Sequence, residues 1–140
     1  MSTDDIRAVE LTRTAPKVFE ATNSRGMRLV MGDGSTDDFT PVELLLAALA
    51  GCSAIDVDYL TARLSEPTQF AVRAAAEKVR DEHGNHLADP QVQFSVEFPE
   101  GEGGDKARDR LPDAVAKSRD RLCTVSRTVA LATPVVFTVS

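Results

Sequence analysis

Thr40-Pro41-Val42-Glu43-Leu44-Leu45-Leu46-Ala47-Ala48-Leu49-Ala50-Gly51-Cys52 decides the fold. Thr40 is a natural N-cap, Pro41 suits the first helical position, and Glu43 follows at N3, so this stretch predicts a helix opened by a capping box. The helix is predicted to run to about Leu64, where Ser65-Glu66-Pro67 stops it. Its first half is apolar all round, the mark of a helix buried on every side. Such a helix needs a sheet against one face and something further, such as a second subunit, against the other.

Strand patterns flank it. Ile6 to Thr14 has period two, with Arg7, Val9, Leu11 and Arg13 on one side and Ile6, Ala8 and Glu10 on the other. Val18 to Thr22 and Met27 to Met31 read as two more strands, turned at Asn23-Ser24-Arg25-Gly26, and Gly32 to Asp38 reads as a loop. Beyond the helix, Phe70 to Val79 is a long strand. Gln91 to Phe98 alternates cleanly, Val92, Phe94, Val96 and Phe98 facing one way. Asp81 to Pro90, with His-Gly-Asn and Asp-Pro, reads as the hairpin loop between them, and Pro99 to Gly104 as a second loop. Leu111, Val115, Ser118, Leu122, Val125 and Val129 keep helical spacing and predict a second principal helix. Pro112 starts this helix or kinks a preceding turn, Pro134 ends it, and Val135 to Val139 is read as a final strand. The order βββ-α-ββ-α-β predicts an α+β fold with largely antiparallel sheets and two principal helices, one domain over residues 1–140.

Composition narrows the function. A net charge of -6 and a pI near 4.9 disfavour sequence-independent binding to nucleic acid or an anionic membrane. The acidic opening Met1-Ser2-Thr3-Asp4-Asp5 does not read as a secretory signal, and the unbroken apolar run Leu44 to Ala50 is short for a bilayer. No cofactor is expected. His83 and His86 form His-x-x-His in a polar turn without further convincing ligands, so no metal is expected either. Gly101-Glu102-Gly103-Gly104 lacks the following Lys-Ser/Thr of a phosphate loop.

The chain has two cysteines, Cys52 and Cys123. Two cysteines without an export signal point to a reducing cytoplasm, where a disulfide is transient rather than structural. Taken singly, each thiol reads as a small buried hydrophobe. Taken together, two thiols that meet can run peroxide chemistry, one attacking oxygen and the other closing a disulfide. The stretch Thr40 to Val57, with its Pro-x-Glu-Leu helix ending in Gly51-Cys52, and Cys123-Thr124-Val125-Ser126-Arg127-Thr128 resemble the OsmC/Ohr family of thiol-dependent peroxide-handling proteins.

The resemblance implies an intertwined homodimer with the first helices buried centrally. It implies that Cys52 attacks a hydroperoxide, that Cys123 resolves the product, and that a dithiol or lipoyl-type reductant reopens the disulfide. It also implies an activating arginine, for which Arg13 is the positional match, with Arg25, Arg28 and Arg127 as alternatives. The characterised peroxidases carry a glutamate directly after the helix proline; here Val42 stands there and Glu43 comes one position later. Nine residues turn a helix through about 180°, so Glu43 faces away from Cys52 and reads as a cap. Asp56 lies one turn beyond Cys52 on the same face and needs a partner, an arginine being one choice. The expected activity is reduction of organic hydroperoxides or hydrogen peroxide, in a pocket lined by residues such as Phe39, Leu45 and Leu49. The alternative is a non-enzymatic protein of the same fold that binds a small molecule or senses oxidants.

Overall fold

The computed structural model describes residues 5–140; the acidic opening read above lies, but for Asp5, outside them. The chain divides into two compact units, one ending at Leu45 and the other spanning Leu46–Ser140.

The first unit is an antiparallel meander of β1 (Val9–Ala15), β2 (Val18–Asn23) and β3 (Arg28–Met31) in the order β1-β2-β3. Arg13 pairs with Phe19, and the register slips between Arg13 and Ala15. The β2–β3 turn has a chemical cause. The Asn23 side-chain oxygen accepts from the backbone N–H of Arg25 and of Met27, both at 3.0 Å, and Gly26 supplies a φ of 88°. The capping box closes as the spacing predicts: the Glu43 N–H donates to the Thr40 hydroxyl at 3.2 Å, and the Thr40 N–H donates to the Glu43 carboxylate at 2.9 Å.

Helix α1 (Pro41–Thr61) continues into the second unit. Its buried residues are Leu49, Ser53, Val57 and Thr61, one stripe at four-residue spacing. A single chain covers one face only, and Ile55 and Tyr59 stay 71% and 77% exposed. By length and composition α1 would pass for a membrane span, with a mean hydropathy of 1.5 over its most apolar window. Its buried stripe nevertheless carries Ser53 and Thr61, whose hydroxyls are met by protein: Thr61 donates to the Val57 carbonyl at 2.9 Å, and Ser53 meets Ser118.

β4 (Gln69–Asp81) and β5 (Gly84–Glu97) form an antiparallel hairpin. The loop is shorter than predicted, because Asp81 pairs with Gly84 and leaves two residues at the tip, where the Asp81 carboxylate accepts from the His83 N–H at 2.8 Å. Gly84, with φ 119°, makes that tight turn possible. Asp89-Pro90 falls inside β5. The strand absorbs it with a register slip opposite Ala75 and Glu77 and a positive φ of 51° at Asp89. The alternation places Phe94 against Phe70, rings 6.2 Å apart and nearly perpendicular.

The predicted second helix is three pieces: α2 (Glu102–Lys117), a π-helical turn (Ser118–Leu122) and α3 (Thr124–Ala130). α2 starts ten residues before Pro112, inside the presumed glycine loop, and carries that proline within it. The glycines are there for contact. A Cβ on Gly104 would collide with the Pro99 carbonyl, and one on Gly103 would sit 2.7 Å from the Leu64 oxygen. The final strand is absent among the described residues: Val135 to Val139 forms no strand there and is exposed throughout. Five residues of strand-forming type make a strand only where a sheet edge accepts them, and no described strand pairs with this segment. Apart from that segment the order matches, an α+β fold with antiparallel sheets.

Candidate thiol site

Cys52, Ser53 and Asp56 belong to α1. Cys52 and Asp56 are four residues apart and share a helix face. Cys123 comes from the break between the π turn and α3. Its N–H closes the wide turn on the Ser118 carbonyl at 2.8 Å, and its backbone is extended, with φ −75° and ψ 103°. That break turns the Cys123 side chain into the N-cap of α3, where its sulfur accepts from the Ser126 N–H at 3.4 Å. The two sulfurs and an Asp56 carboxylate oxygen lie within 4.8 Å of one another. Both thiols are free; Cys52 is partly exposed and Cys123 fully buried.

The thiols are electrostatically unequal. Burial pushes Cys52 above the ordinary cysteine range, and the hydrogen bond and charge of Cys123 push it further, against the pull of the Val125 and Thr124 N–H groups. Burial opposes ionisation of Cys123 too, but hydrogen bonds from the Ser126 hydroxyl and N–H, from the Cys52 thiol and from the Val125 N–H outweigh it and bring Cys123 down. The two thiols titrate as a pair, with ionisation favoured at Cys123 over Cys52.

Asp56 meets a serine, where the sequence reading looked to an arginine. The Ser118 hydroxyl donates to the Asp56 carboxylate at 2.9 Å, and the Ser53 and Ser118 hydroxyls are 2.7 Å apart. Since Ser118 spends its proton on Asp56, Ser53 donates to Ser118. Both serines are buried. Sequence reasoning missed this chain, although Ser118 carried a signal as the one polar residue in an otherwise apolar helical stripe.

Ser53 and Ser126 also line a cavity of about 460 Å³. Leu49, Val92, Phe94, Val115 and Val129 make its walls apolar, and Arg119, paired with Asp120 at 2.7 Å, is its charged residue. Of the three lining residues expected, Leu49 is present. Phe39 lines a separate recess of the first unit beside Thr40 and Glu43, and Leu45 lines neither. Arg13 is an exposed residue of β1, in the first unit. Arg127 lies on α3, where its charge acts on Asp120. His83 and His86 stand at the hairpin tip beside Glu82 and Asp81.

The profile of the OsmC-like protein family matches residues 32–139. An uncharacterised protein of Mycobacterium tuberculosis is 29% identical over 125 residues, 88% of each chain. The fold is similar to that of a hypothetical protein from Aquifex aeolicus, with a TM-score of 0.73, 23% identity, and 92% and 90% of the two chains covered. It is also similar to that of the organic hydroperoxide resistance protein OhrB of Bacillus subtilis, with a TM-score of 0.53, 13% identity, and 86% and 90% covered. With a family profile matching residues 32–139, a segment that holds both thiols, the chain belongs to the OsmC-like protein family.

Proposed function

We propose that this chain is a thiol-dependent peroxidase that reduces organic hydroperoxides, with Cys52 attacking and Cys123 resolving. The observation that carries the reading is the meeting of two free sulfurs within 4.8 Å, the outer one partly exposed and the inner one buried. The cavity beside them is apolar, which favours alkyl hydroperoxides over hydrogen peroxide. The name of one structural neighbour, the organic hydroperoxide resistance protein OhrB, supports the same substrate class.

The chemistry follows from the shared proton. Transfer of that proton from Cys52 to Cys123 exposes a Cys52 thiolate to the hydroperoxide. Attack on the terminal oxygen forms an S–O bond, breaks the O–O bond and releases an alkoxide, which takes the proton from Cys123 and leaves as alcohol. Cys52 is then a sulfenic acid and Cys123 a thiolate. Cys123 attacks the Cys52 sulfur, hydroxide leaves, and a disulfide forms. A dithiol or lipoyl-type reductant supplies two electrons and two protons to reopen it.

The working unit we propose is a cytoplasmic homodimer of one OsmC-like domain. Support for the second copy comes from α1. Gly51 is a helical residue with open space where a Cβ would be, so nothing in one chain explains it. Ile55 and Tyr59 of the same helix are uncovered.

The test is the intact mass of reduced protein after one equivalent of cumene hydroperoxide. Wild type loses two hydrogens, and Cys123→Ser gains one oxygen on Cys52. An unchanged mass in both sinks the peroxidase and leaves ligand binding in the cavity as the reading to pursue. Arg13→Ala tests the activating cation, with an expected loss of about tenfold to a hundredfold in rate, one pKa unit being tenfold in thiolate. An unchanged rate removes Arg13 from the site.

A further inference from the structure

We infer that the reduced site is a binding site for a thiophilic divalent cation of the zinc class, held by Cys52 Sγ, Cys123 Sγ and an Asp56 carboxylate oxygen. The three ligand atoms already lie within 4.8 Å of one another and come from two elements, α1 and the break before α3. Tetrahedral zinc with Zn–S near 2.3 Å sets its sulfurs about 3.8 Å apart, so closing the site takes a contraction of at most about 1 Å.

Two features beyond proximity favour a cation. The first is the serine chain. Ser118 holds one Asp56 oxygen at 2.9 Å and is itself held by buried Ser53 at 2.7 Å. Asp56 is thereby held in place by a buried donor, the arrangement that outer hydrogen bonds give to metal-binding carboxylates. The second is charge. Asp56 makes no ion pair among the described residues, and the chain is acidic, at -6. With both thiols ionised, the two sulfurs and the carboxylate carry three negative charges at one place, a state that a divalent cation stabilises. Thiolate ligands select zinc over magnesium or calcium.

Binding exchanges two S–H bonds for two S–metal bonds and releases up to two protons to solvent; no electron moves. Three protein ligands leave a fourth position for water. A disulfide removes both sulfurs as ligands, so the metal-bound and oxidised states exclude one another. The inference stands on the geometry of the reduced thiols and does not require the peroxidase reading.

The experiment is an anaerobic titration of the reduced full-length protein with Co²⁺, then with Zn²⁺. The expected result is one equivalent bound per chain, with a thiolate-to-cobalt charge-transfer band and tetrahedral ligand-field bands that Zn²⁺ abolishes. Cys52→Ser and Cys123→Ser each lose the tetrahedral spectrum. Asp56→Asn keeps an acceptor for Ser118 but loses the charge, and weakens binding by at least tenfold, while Asp56→His, which returns a ligand, restores it. Ser118→Ala weakens binding by about tenfold to a hundredfold. Absence of a charge-transfer band at stoichiometric metal overturns the site. So does a spectrum that survives in the cysteine variants, or an affinity that Asp56→Asn leaves unchanged. Hydroperoxide consumption by metal-free protein is read separately, so an inactive protein that binds cobalt refutes only the peroxidase.

Discussion

The two units of the chain differ in whether they bury a core of their own. In the first, Val9, Leu11 and Leu29 are exposed on a three-stranded sheet. In the second, Leu49, Val57, Phe98, Ala107 and Ala114 are buried, and Cys123 is buried with them. The second unit thus carries a core within one chain, and the inner thiol belongs to that core. Among the described residues of the first unit no large apolar side chain is buried. The lesson is that the thiol pair belongs to the unit that carries a buried core.

Glycine substitution gives the widest contrast. Gly104→Ala drives a methyl into the Pro99 carbonyl, and urea unfolding is expected to lose about 3 kcal/mol or more. Gly51→Ala meets open space in one chain and is expected to raise monomer stability by about 0.5–1 kcal/mol. A destabilised Gly51→Ala whose dimer also weakens would place a second copy against α1.

Core truncation sharpens the same comparison. Val57→Ala, at a fully buried position, is expected to cost about 2 kcal/mol at any protein concentration. Leu11→Ala, half exposed in one chain, is expected to cost less than about 0.5 kcal/mol in the monomer. Measured over a range of concentrations, a Leu11 penalty that grows as the protein is concentrated shows that its sheet is covered by association. Thr40→Ala removes half of the capping box and is expected to cost about 1 kcal/mol by the same denaturation.

The smallest effects are proton shifts. Cys123 is lowered in part by the Cys52 thiol, so Cys52→Ala moves the Cys123 alkylation profile to higher pH. Cys52 is raised by burial and then by Cys123, so Cys123→Ala moves the Cys52 profile to lower pH. Both signs are read from iodoacetamide rates against pH. Unmoved profiles would mean that the sulfurs do not share a proton.

Local chemistry was legible in the sequence. Thr40 and Glu43 cap α1 because their spacing alone determines a reciprocal hydrogen bond, and Asn23 to Gly26 turns because Asn23 bonds its own loop. Long-range chemistry was not. The helical stripe through Ser118 and Leu122 gave no sign of the π turn, since apolar spacing survives one wide turn. The early start of α2 depends on how closely Pro99 and Leu64 approach Gly104 and Gly103, which no local pattern encodes. Val135 to Val139 has the β-branched and aromatic composition of a strand, yet composition says nothing of a partner. At the site the cysteine pair was legible from its motifs, while the Ser53–Ser118–Asp56 chain links residues 62 and 65 positions apart.

Cys123 is also the cap of α3, a seven-residue helix with no buried side chain of its own. As a thiolate its sulfur is a charged acceptor for the Ser126 N–H; as half of a disulfide it is a weak one. Each oxidation would therefore uncap the first turn of α3 and each reduction restore it, so that the electron count of one sulfur is written into the fraying of the helix that follows it.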